Sequence, residues 1–384
     1  MTNIYKKKSK KKILLIFGTR PEAIKIAPLY FNLKQEKRLF KVKVCVTAQQ
    51  REMLDQVIKL FRIKVDYDLN IMRDDQDLFD TTSLILNNIK KIIKKTKPNL
   101  VIVHGDTTTS FASALAAFYS KIKVAHVEAG LRTYNLFAPY PEEFNRQSIS
   151  KLSNFHFAPT KTSKINLLNE NVSSKSIFVT GNTVVDSLKM IKDAVRVKKF
   201  SNQTQSLLPF LKNDSQILLV TGHRRENFGR GFKEICTALK IIAEKNKDLN
   251  IVYPVHLNPN VQKPVNEILK NIKNIYLIEP LDYMEFVKLM DRSYIILTDS
   301  GGIQEEAPSF GKPVLVMREA TERPEGLEAG LIKLVGSKSQ NIVKEVEKLL
   351  KNKKNYLKMI SNHNPYGDGK ASMRIVKILK SIKL

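Results

Sequence analysis

Residues 294–306 read Tyr-Ile-Ile-Leu-Thr-Asp-Ser-Gly-Gly-Ile-Gln-Glu-Glu, and this stretch decides the fold. Its apolar beginning predicts a buried β-strand, and a helix is expected to follow over residues 303–310. A strand that opens into a helix through Ser300, Gly301 and Gly302 presents free backbone N–H groups and the positive end of the helix dipole. The stretch therefore predicts a strand–helix unit that can receive a diphosphate.

The two glycines and a nearby acid refine this prediction. Gly301 and Gly302 leave room for a phosphate to approach the backbone, because neither carries a side chain. Glu306 follows Gly302 by one helical turn, so its carboxylate lies on the same face and could accept both hydroxyl groups of a ribose. The stretch therefore indicates a site for a nucleotide diphosphate. An ordinary Gly-rich turn between strand and helix is the alternative.

The same alternation of strand and helix runs through the whole chain. Helical patterns, among them residues 21–33, 51–61 and 108–119, fill most of the gaps between predicted strands. Such alternation is typical of parallel, doubly wound α/β sheets. The sequence therefore predicts an α/β protein of two Rossmann-like domains facing across a cleft. Its strands are predicted at residues 13–17, 42–46, 100–103, 124–127, 217–221, 250–254, 275–278, 294–298 and 314–317.

The predicted domains divide the chain near its middle. A chain of 384 residues suits two domains of ordinary size. We place the first domain at residues 1–184 and the second at residues 185–364. The run Asn364-Pro-Tyr-Gly-Asp-Gly369 interrupts the last helices. Residues 365–384 are therefore predicted to form a tail that folds back onto the first domain.

Composition disfavours several classes of protein. The formal net charge is +28, but the lysines are spread along predicted helix faces and do not alternate with aromatic residues, so nucleic-acid binding is disfavoured. No apolar run approaches the ~20 residues that span a membrane. Cys45 and Cys236 are far apart in the chain, which argues against a disulfide scaffold. These cysteines and the lack of a secretory signal pattern favour the cytoplasm.

Reactive side chains follow the predicted strands of the first half. Ligands of open α/β sheets bind beyond the carboxyl ends of the strands. Arg20 and Lys25 follow the first strand and could clamp phosphate oxygens. Asp106 and Glu128 follow the third and fourth strands, and Glu142 lies in a nearby loop. Three acids in this half predict acid–base chemistry there.

The second half carries a complementary set. His223 follows its first predicted strand, His256 follows the next, and Arg323 follows residues 314–317. Together with the turn at Ser300, these residues predict a nucleotide-binding half with an arginine for phosphate. The chemistry and the nucleotide are thus expected to meet in one cleft.

Single residues in these sets have simpler explanations. Asp106 or Thr107 could cap the following helix. Glu128 could pair structurally with Arg132, and His223 could be an ordinary loop histidine. The functional interpretation depends on the whole set of acids occurring together with a histidine and a phosphate site.

Familiar cofactor and metal motifs are missing from the sequence. No GxGxxG follows a predicted strand, which disfavours bound NAD. No GxxxxGK[ST] occurs, and the six histidines lack HxxxH or HExxH spacing. The pattern therefore favours side-chain chemistry on a sugar nucleotide, with no cofactor and no metal.

Eight longer motifs occur in order along the chain. They are Phe17-Gly-Thr-Arg-Pro-Glu-Ala23, His104-Gly-Asp-Thr-Thr, His126-Val-Glu-Ala-Gly-Leu-Arg132, Pro141-Glu-Glu, Thr221-Gly-His-Arg-Arg-Glu226, Pro254-Val-His-Leu-Asn-Pro259, Thr298-Asp-Ser-Gly-Gly-Ile-Gln-Glu-Glu306 and Glu322-Arg-Pro-Glu325. Together they closely resemble the non-hydrolysing UDP-N-acetylglucosamine 2-epimerases of bacterial type. The resemblance covers nearly the whole chain, from about Lys12 onward.

The resemblance implies a glycosyltransferase-B-like fold, a homodimer and the interconversion of UDP-GlcNAc and UDP-ManNAc for cell-envelope polysaccharide precursors. It implies a route in which UDP leaves C1 while the C2 proton is removed, giving a 2-acetamidoglucal to which UDP then re-adds. The catalytic group it implies is Asp106, Glu128, Glu142 and His223. The residues it implies for UDP are Arg20, Lys25, Phe286 (near the uracil), Ser300, Gly301, Gly302, Glu306 and Arg323.

The resemblance also implies a second UDP-GlcNAc bound as an activator. The matching positions include Gln49, Arg73 and His256. Two related activities remain open from the residues alone. A hydrolysing epimerase that releases free ManNAc would share much of the site, and a glycosyltransferase of the same fold would add an acceptor site. A nucleic-acid-binding protein is the alternative from another class.

Overall fold

The structure is a computed structural model that describes residues 10–49, 51–73, 76–197, 201–212, 215–360 and 364–383. The chain forms two compact units. The first contains residues up to Met190 together with the C-terminal segment from Tyr366, and the second is Ile191–Pro365. Within the described ranges, no helix combines the length and apolarity needed to cross a bilayer.

The first unit is built on a parallel seven-stranded sheet. Its strands are β1 (Lys11–Phe17), β2 (Phe40–Val46), β3 (Tyr67–Asp68), β4 (Leu100–His104), β5 (Lys123–Val127), β6 (Phe155–Ala158) and β7 (Ile177–Val179). Their order in the sheet is β3-β2-β1-β4-β5-β6-β7. In the centre, Leu15 of β1 lies opposite Val44 on one side and Ile102 on the other.

Helices connect these strands. They are α1 (Arg20–Gln35), α2 (Arg51–Leu60), α3 (Leu78–Thr96), α4 (Thr108–Tyr119), α5 (Glu142–Leu152), α6 (Lys161–Asn169) and α7 (Thr183–Val197). Because parallel crossovers are right-handed, the change of direction between β1 and β4 places helices on both faces of the sheet. Residues 13–17 are accordingly buried on both faces, which explains their unbroken apolar run.

The second unit repeats this plan with a parallel six-stranded sheet of order β10-β9-β8-β11-β12-β13. Its strands are β8 (Ile217–Thr221), β9 (Asn250–Pro254), β10 (Ile275–Ile278), β11 (Ile295–Thr298), β12 (Val314–Val316) and β13 (Ile332–Leu334). Its helices are α8 (Asn202–Leu207), α9 (Arg230–Lys245), α10 (Pro259–Leu269), α11 (Tyr283–Arg292), α12 (Gly301–Glu306), α13 (Pro324–Glu328), α14 (Ser339–Lys351) and α15 (Lys353–Lys358). The predicted α/β class with two Rossmann-like sheets is confirmed.

The helix expected at residues 303–310 is shorter than predicted and begins earlier. It starts at Gly301 and ends at Glu306, and residues 307–310 form a 3-10 turn. Pro308 lies in that turn and has no N–H to continue the helical ladder. The shift makes Ser300 the residue that precedes the helix.

The C-terminal helix, α16 (Ala371–Ser381), belongs to the first unit and packs against α1. Its first turn is capped by Asp186 of α7, whose carboxylate accepts from the backbone N–H groups of Ala371 at 3.1 Å and Ser372 at 2.8 Å. The prediction that the chain end folds back onto the first half is therefore confirmed.

Candidate active site

The candidate acids of the first unit gather at the carboxyl edge of its sheet. Asp106 follows β4 and Glu128 follows β5, and the two strands are neighbours. Arg20 is the first residue of α1, separated from β1 by Gly18 and Thr19, and is half-buried. This edge includes the point between β1 and β4 where open α/β sheets hold their ligands.

Glu128 is held from several directions. Its Oε2 atom accepts from Lys25 Nζ in an ion pair and from Asn182 Nδ2 at 2.9 Å, and His104 Nε2 lies 3.9 Å away. The residue has a φ of +65°, which a non-glycine residue rarely adopts. A Cβ at Gly105 would lie 3.6 Å from the other carboxylate oxygen, Oε1. Glu128 therefore has one anchored oxygen and a second that these contacts leave for a ligand.

The alternative pairing of Glu128 with Arg132 is not what the structure contains. Arg132 donates from Nε and Nη2 to Glu170, at 2.5 and 2.7 Å. Lys25, expected to hold phosphate, pairs with Glu128 and is itself buried. Its ammonium thus stands directly beside the candidate base.

Asp106 is oriented by an arginine that the sequence did not reveal. Arg146 donates to Asp106 Oδ2 from Nη2 and from Nε, the latter at 3.0 Å. The same guanidinium donates to Glu143 at 3.1 Å. The helix-capping role suggested for Asp106 or Thr107 belongs to Thr107, whose hydroxyl accepts from Ser110 N. Asp106 remains 24% exposed and can meet a ligand.

The two acids that begin α5 differ in environment. Glu143 is fully buried and accepts from the backbone N–H groups of Thr133 at 3.0 Å and Tyr134 at 3.1 Å. Glu142, the first residue of the helix, is only partly buried. Glu143 therefore supports the preceding loop, and Glu142 keeps the position of a candidate reactive group.

Glu22 ties the loops after β1 and β4 together. Its carboxylate accepts from the backbone N–H groups of Gly18 and Thr19 at 2.9 and 2.8 Å, and from the hydroxyls of Thr107 and Ser110 at 2.7 and 2.9 Å. Burial raises the pKa of Glu22, and these hydrogen bonds oppose the rise. The sequence placed Glu22 in a motif but gave it no role.

His223 of the second unit is positioned by a buried aspartate. Asp299, directly after β11, accepts from the backbone N–H groups of His223 and Arg224 with its Oδ2 atom, both at 2.9 Å. Its Oδ1 lies 3.7 Å from His223 Nδ1. The imidazole is 39% exposed and stacks on that of His256, with ring centroids 5.4 Å apart. The two predicted histidines are thus neighbours.

At the predicted diphosphate turn, the guanidinium of Arg323 lies against Gly301 and is held by two carboxylates. A Cβ at Gly301 would lie 2.6 Å from Arg323 Nη1. Arg323 donates from Nε to Glu305 at 2.7 Å and forms an ion pair with Glu322. Glu322 also accepts from Arg318 at 3.1 Å. The guanidinium is therefore held in one orientation beside the start of α12.

The other predicted nucleotide-binding residues of the second unit lie on α11, on α12 or directly before α12. Glu306 ends α12, and Tyr283 donates to it over 3.5 Å. Phe286 lies on the same helix as Tyr283 and is partly exposed. Ser300 and Gly302 flank Gly301 at the start of α12.

Two residues expected at an activator site belong to the first unit. Gln49 accepts from Thr109 at 3.0 Å, and Arg73 is exposed in the segment after β3. The third, His256, stacks on His223 in the other unit. Across the described residues, no group of three His, Cys, Asp or Glu side chains could hold a metal ion.

Comparison with known proteins decides the family. A sequence model described as UDP-N-acetylglucosamine 2-epimerase matches residues 32–380. The chain belongs to the UDP-N-acetylglucosamine 2-epimerase family. It is 57% identical over 373 residues to the UDP-N-acetylglucosamine 2-epimerase of Campylobacter jejuni, covering 96% of this chain and 97% of that protein.

Solved structures of this epimerase family share the fold. The crystal structure of UDP-GlcNAc 2-epimerase from Neisseria meningitidis bound to UDP-GlcNAc matches with a TM-score of 0.92 and 51% identity, over 97% of this chain and 100% of that one. The Methanocaldococcus jannaschii UDP-GlcNAc 2-epimerase in complex with UDP-GlcNAc and UDP matches with a TM-score of 0.81 and 36% identity, over 96% and 99%. The epimerase likeness therefore extends through both units.

Proposed function

We propose that this protein is a non-hydrolysing UDP-GlcNAc 2-epimerase, an isomerase that interconverts UDP-GlcNAc and UDP-ManNAc. The observation that carries this is the match over 97% of the chain to an epimerase bound to UDP-GlcNAc. The reaction uses side chains alone, without a cofactor or metal. We place it in the cytoplasm, where Cys45 and Cys236 stay reduced.

UDP is held mainly by the second unit in this proposal. The backbone N–H groups at the start of α12 and the fixed guanidinium of Arg323 bind the diphosphate. Glu306 accepts the ribose hydroxyls, and Phe286 packs against the uracil. Arg20 and Lys25 of the first unit add positive charge as the diphosphate departs. The proposed UDP set is Arg20, Lys25, Phe286, Ser300, Gly301, Gly302, Glu306 and Arg323.

Loss of UDP and loss of a proton are coupled in the proposed route. The hydrogen on C2 is too weakly acidic for a carboxylate to remove from an intact sugar. As the C1–O bond to UDP breaks, C1 becomes cation-like and acidifies C2. Removal of that proton gives 2-acetamidoglucal and UDP. Delivery of a proton to the other face and return of UDP to C1 give the epimer, so at least two acid–base groups are needed.

Asp106, Glu128, Glu142 and His223 form the proposed acid–base group. Asp299 beside Nδ1 favours the tautomer of His223 that carries its proton there, which leaves Nε2 to exchange a proton with a ligand. Arg146 orients Asp106 in a similar way, because it binds one carboxylate oxygen while the carboxylate stays partly exposed. Asp299 and Arg146 are positioning residues.

The test is to incubate the pure protein with UDP-GlcNAc in heavy water, without added metal or cofactor, and to follow the products by NMR. We expect UDP-ManNAc, with deuterium at C2 of both epimers. Free ManNAc and UDP as products would instead identify a hydrolysing epimerase. Epimerisation without solvent deuterium would rule out the elimination route.

Substitutions test the acid–base group in the same assay. Asp106→Asn, Glu128→Gln, Glu142→Gln and His223→Asn are each expected to lower kcat by ~10² or more. Asp282→Asn is the matched control, because an asparagine at this exposed helix N-cap accepts the same hydrogen bond. Wild-type turnover in any of the four variants removes that residue from the group.

We further infer a homodimer and a second UDP-GlcNAc that activates the enzyme through Gln49, Arg73 and His256. The stacking of His256 on His223 supports this, because a ligand at His256 would press directly on a proposed catalytic ring. Rates with UDP-ManNAc alone should then stay low until UDP-GlcNAc is added. A hyperbolic rate curve with full reverse activity contradicts the activator, and a monomer in sedimentation velocity contradicts the dimer.

A further inference from the structure

Asn182 connects the C-terminal segment to the carboxylate of Glu128. It lies in the loop between β7 and α7 and is only 3% exposed. Its side chain donates from Nδ2 to Glu128 Oε2 at 2.9 Å. Its backbone N–H donates to the carbonyl oxygen of Tyr366 at 2.7 Å. One buried residue thus touches both a proposed catalytic acid and the returning end of the chain.

The orientation of the Asn182 amide is fixed by its neighbours. Its Oδ1 accepts from the backbone N–H of Val184 at 3.0 Å. A flipped amide would place its NH₂ against that N–H and its oxygen against the Glu128 carboxylate, and both contacts would be repulsive. Nδ2 therefore always faces Glu128.

The C-terminal segment packs closely on the loop that carries Asn182. Gly367 has a φ of +133°, and a Cβ there would lie 3.4 Å from the Cα of Gly181. Arg374 of α16 donates to the carbonyl oxygen of Thr180 at 3.0 Å and forms an ion pair with Asp368. The segment from Tyr366 therefore fixes the backbone from which Asn182 reaches Glu128.

We propose that Asn182 is a positioning residue for Glu128 and that docking of residues 366–383 is a condition for epimerisation. Asn182 and Lys25 together hold Oε2 of Glu128, so that its Oε1 faces the ligand. The role rests on the proposed function of Glu128. In this proposal, residues 366–383 support the reaction as well as the packing of the first unit.

Asn182→Ala tests the contact. Displacement of a reacting carboxylate by about 1 Å can cost ~10²-fold in rate, so kcat should fall about 10- to 100-fold with KM little changed. UDP affinity in calorimetry should stay at the wild-type value. Asn154→Ala is the control, because Asn154 makes a comparable link, to Val124 N at 2.9 Å, at the amino edge of the same sheet. Wild-type kcat in Asn182→Ala overturns the role.

Asn182→Asp separates positioning from general support of the fold. The groups that face Glu128 Oε2 are Lys25 from α1, His104 from β4 and Asn182 itself. A carboxylate at residue 182 would place a second negative charge beside Glu128 Oε2 and disfavour the ionised form of Glu128. If Glu128 works as a base, the acidic limb of the kcat/KM profile moves to higher pH. A lower plateau with an unmoved limb overturns the role.

The link to the chain end is tested with Gly367→Ala, which disturbs the Tyr366 carbonyl through the strained φ. This variant should slow epimerisation by a factor similar to that of Asn182→Ala, and the double variant should be no slower than Asn182→Ala alone. Gly330→Ala, with a φ of +68° and no atom within 4 Å of the new Cβ, is the control. Additive losses overturn the link.

The outcomes separate the two proposals. If the wild-type protein does not epimerise UDP-GlcNAc, the proposed function fails and the role of Asn182 fails with it. If the wild type is active and Asn182→Ala is equally active, only the role of Asn182 fails. Should Gly367→Ala not fold, as judged by thermal unfolding, the Asn182→Ala and Asn182→Asp variants decide.

Discussion

Gly301 shows how one missing side chain makes room for the arginine that we propose binds a phosphate. A Cβ there would lie 2.6 Å from Nη1 and 2.9 Å from Cζ of Arg323, and the guanidinium cannot easily move because Glu305 and Glu322 hold it. Gly301→Ala should therefore displace the guanidinium from the diphosphate. Loss of a hydrogen bond to a charged group costs about 1.5–3 kcal/mol. Calorimetry should show UDP binding at least about 10-fold weaker.

Gly231→Ala is the matched control for this variant. Gly231 also lies in the first turn of a helix of the second unit, and a Cβ there would meet nothing nearer than 3.5 Å. Its affinity for UDP should equal that of the wild type. Wild-type affinity in Gly301→Ala, or equal weakening in both variants, would contradict the proposed position of the diphosphate.

The sequence alone could predict those candidate residues whose side-chain type and position after a strand already indicate a function. Asp106 and Glu128 follow strands, and an acid at a strand end is recognisable without a structure. Arg146 and Asn182 are different. The role proposed for each depends on a contact with a residue 40 or 54 positions away, respectively, which only the fold brings together. Asp299 also follows a strand, but its contact with His223, 76 positions away, is likewise visible only in the fold.

At the level of elements, strands that form buried apolar runs were predictable, including the three-residue β12, and several short strands with polar or exposed residues were not. β4 and β8 are fully buried runs, and the sequence predicted both. The strands missing from the prediction are β3, β6, β7 and β13, none longer than four residues. β6 also contains His156, which is buried because its Nε2 bonds the carbonyl oxygen of Ser150 at 2.9 Å. A histidine that satisfies its polar atoms by tertiary contact looks like a surface residue in sequence.

His126 of β5 makes the junction between neighbouring strand ends sensitive to pH. It is completely buried, and its Nε2 contacts the carbonyl oxygen of Gly105 at 2.7 Å. Burial lowers the pKa of His126 to about 3. Below pH 6.5 the imidazole of His126 therefore binds a proton in the unfolded chain, whereas in the folded chain it stays neutral down to about pH 3. The stability that the neutral ring contributes is present above that pH and is lost as the pH falls toward 3.

His126→Gln should reduce this sensitivity, because an amide can donate to Gly105 and does not titrate. Between pH 6.5 and pH 5 the wild type should lose about 1.6 kcal/mol more unfolding free energy than the variant, because the loss rises toward 1.36 kcal/mol per pH unit as the unfolded imidazole becomes fully protonated. Urea unfolding at the two pH values, followed by circular dichroism, measures the difference. Equal losses in both proteins would show that His126 is not the group responsible.

At the scale of the whole molecule, one strand order positions both sets of proposed functional residues. In each sheet the first strand of the unit lies beside the fourth, as β1 beside β4 and β8 beside β11. After the fourth strand the first unit places Asp106, and the second places Asp299 and the turn that begins α12. In an open parallel sheet, the loops that follow the strands meet at this position whatever the sequence, because the strand order reverses there. The fold therefore explains where the groups lie, and the loop residues determine what they do.

The net charge of +28 should act on the arrival of the substrate and not on its chemistry. A basic field attracts an anionic sugar nucleotide over distances that salt screens, with a Debye length of about 10 Å at 0.1 M. Raising NaCl from about 10 mM to about 300 mM should lower kcat/KM several-fold, while kcat at saturation stays constant. Binding of uridine, which carries no phosphate, is the reference and should not respond. A flat kcat/KM, or a parallel fall in kcat, would show that the lysines only solvate the surface and do not steer the substrate.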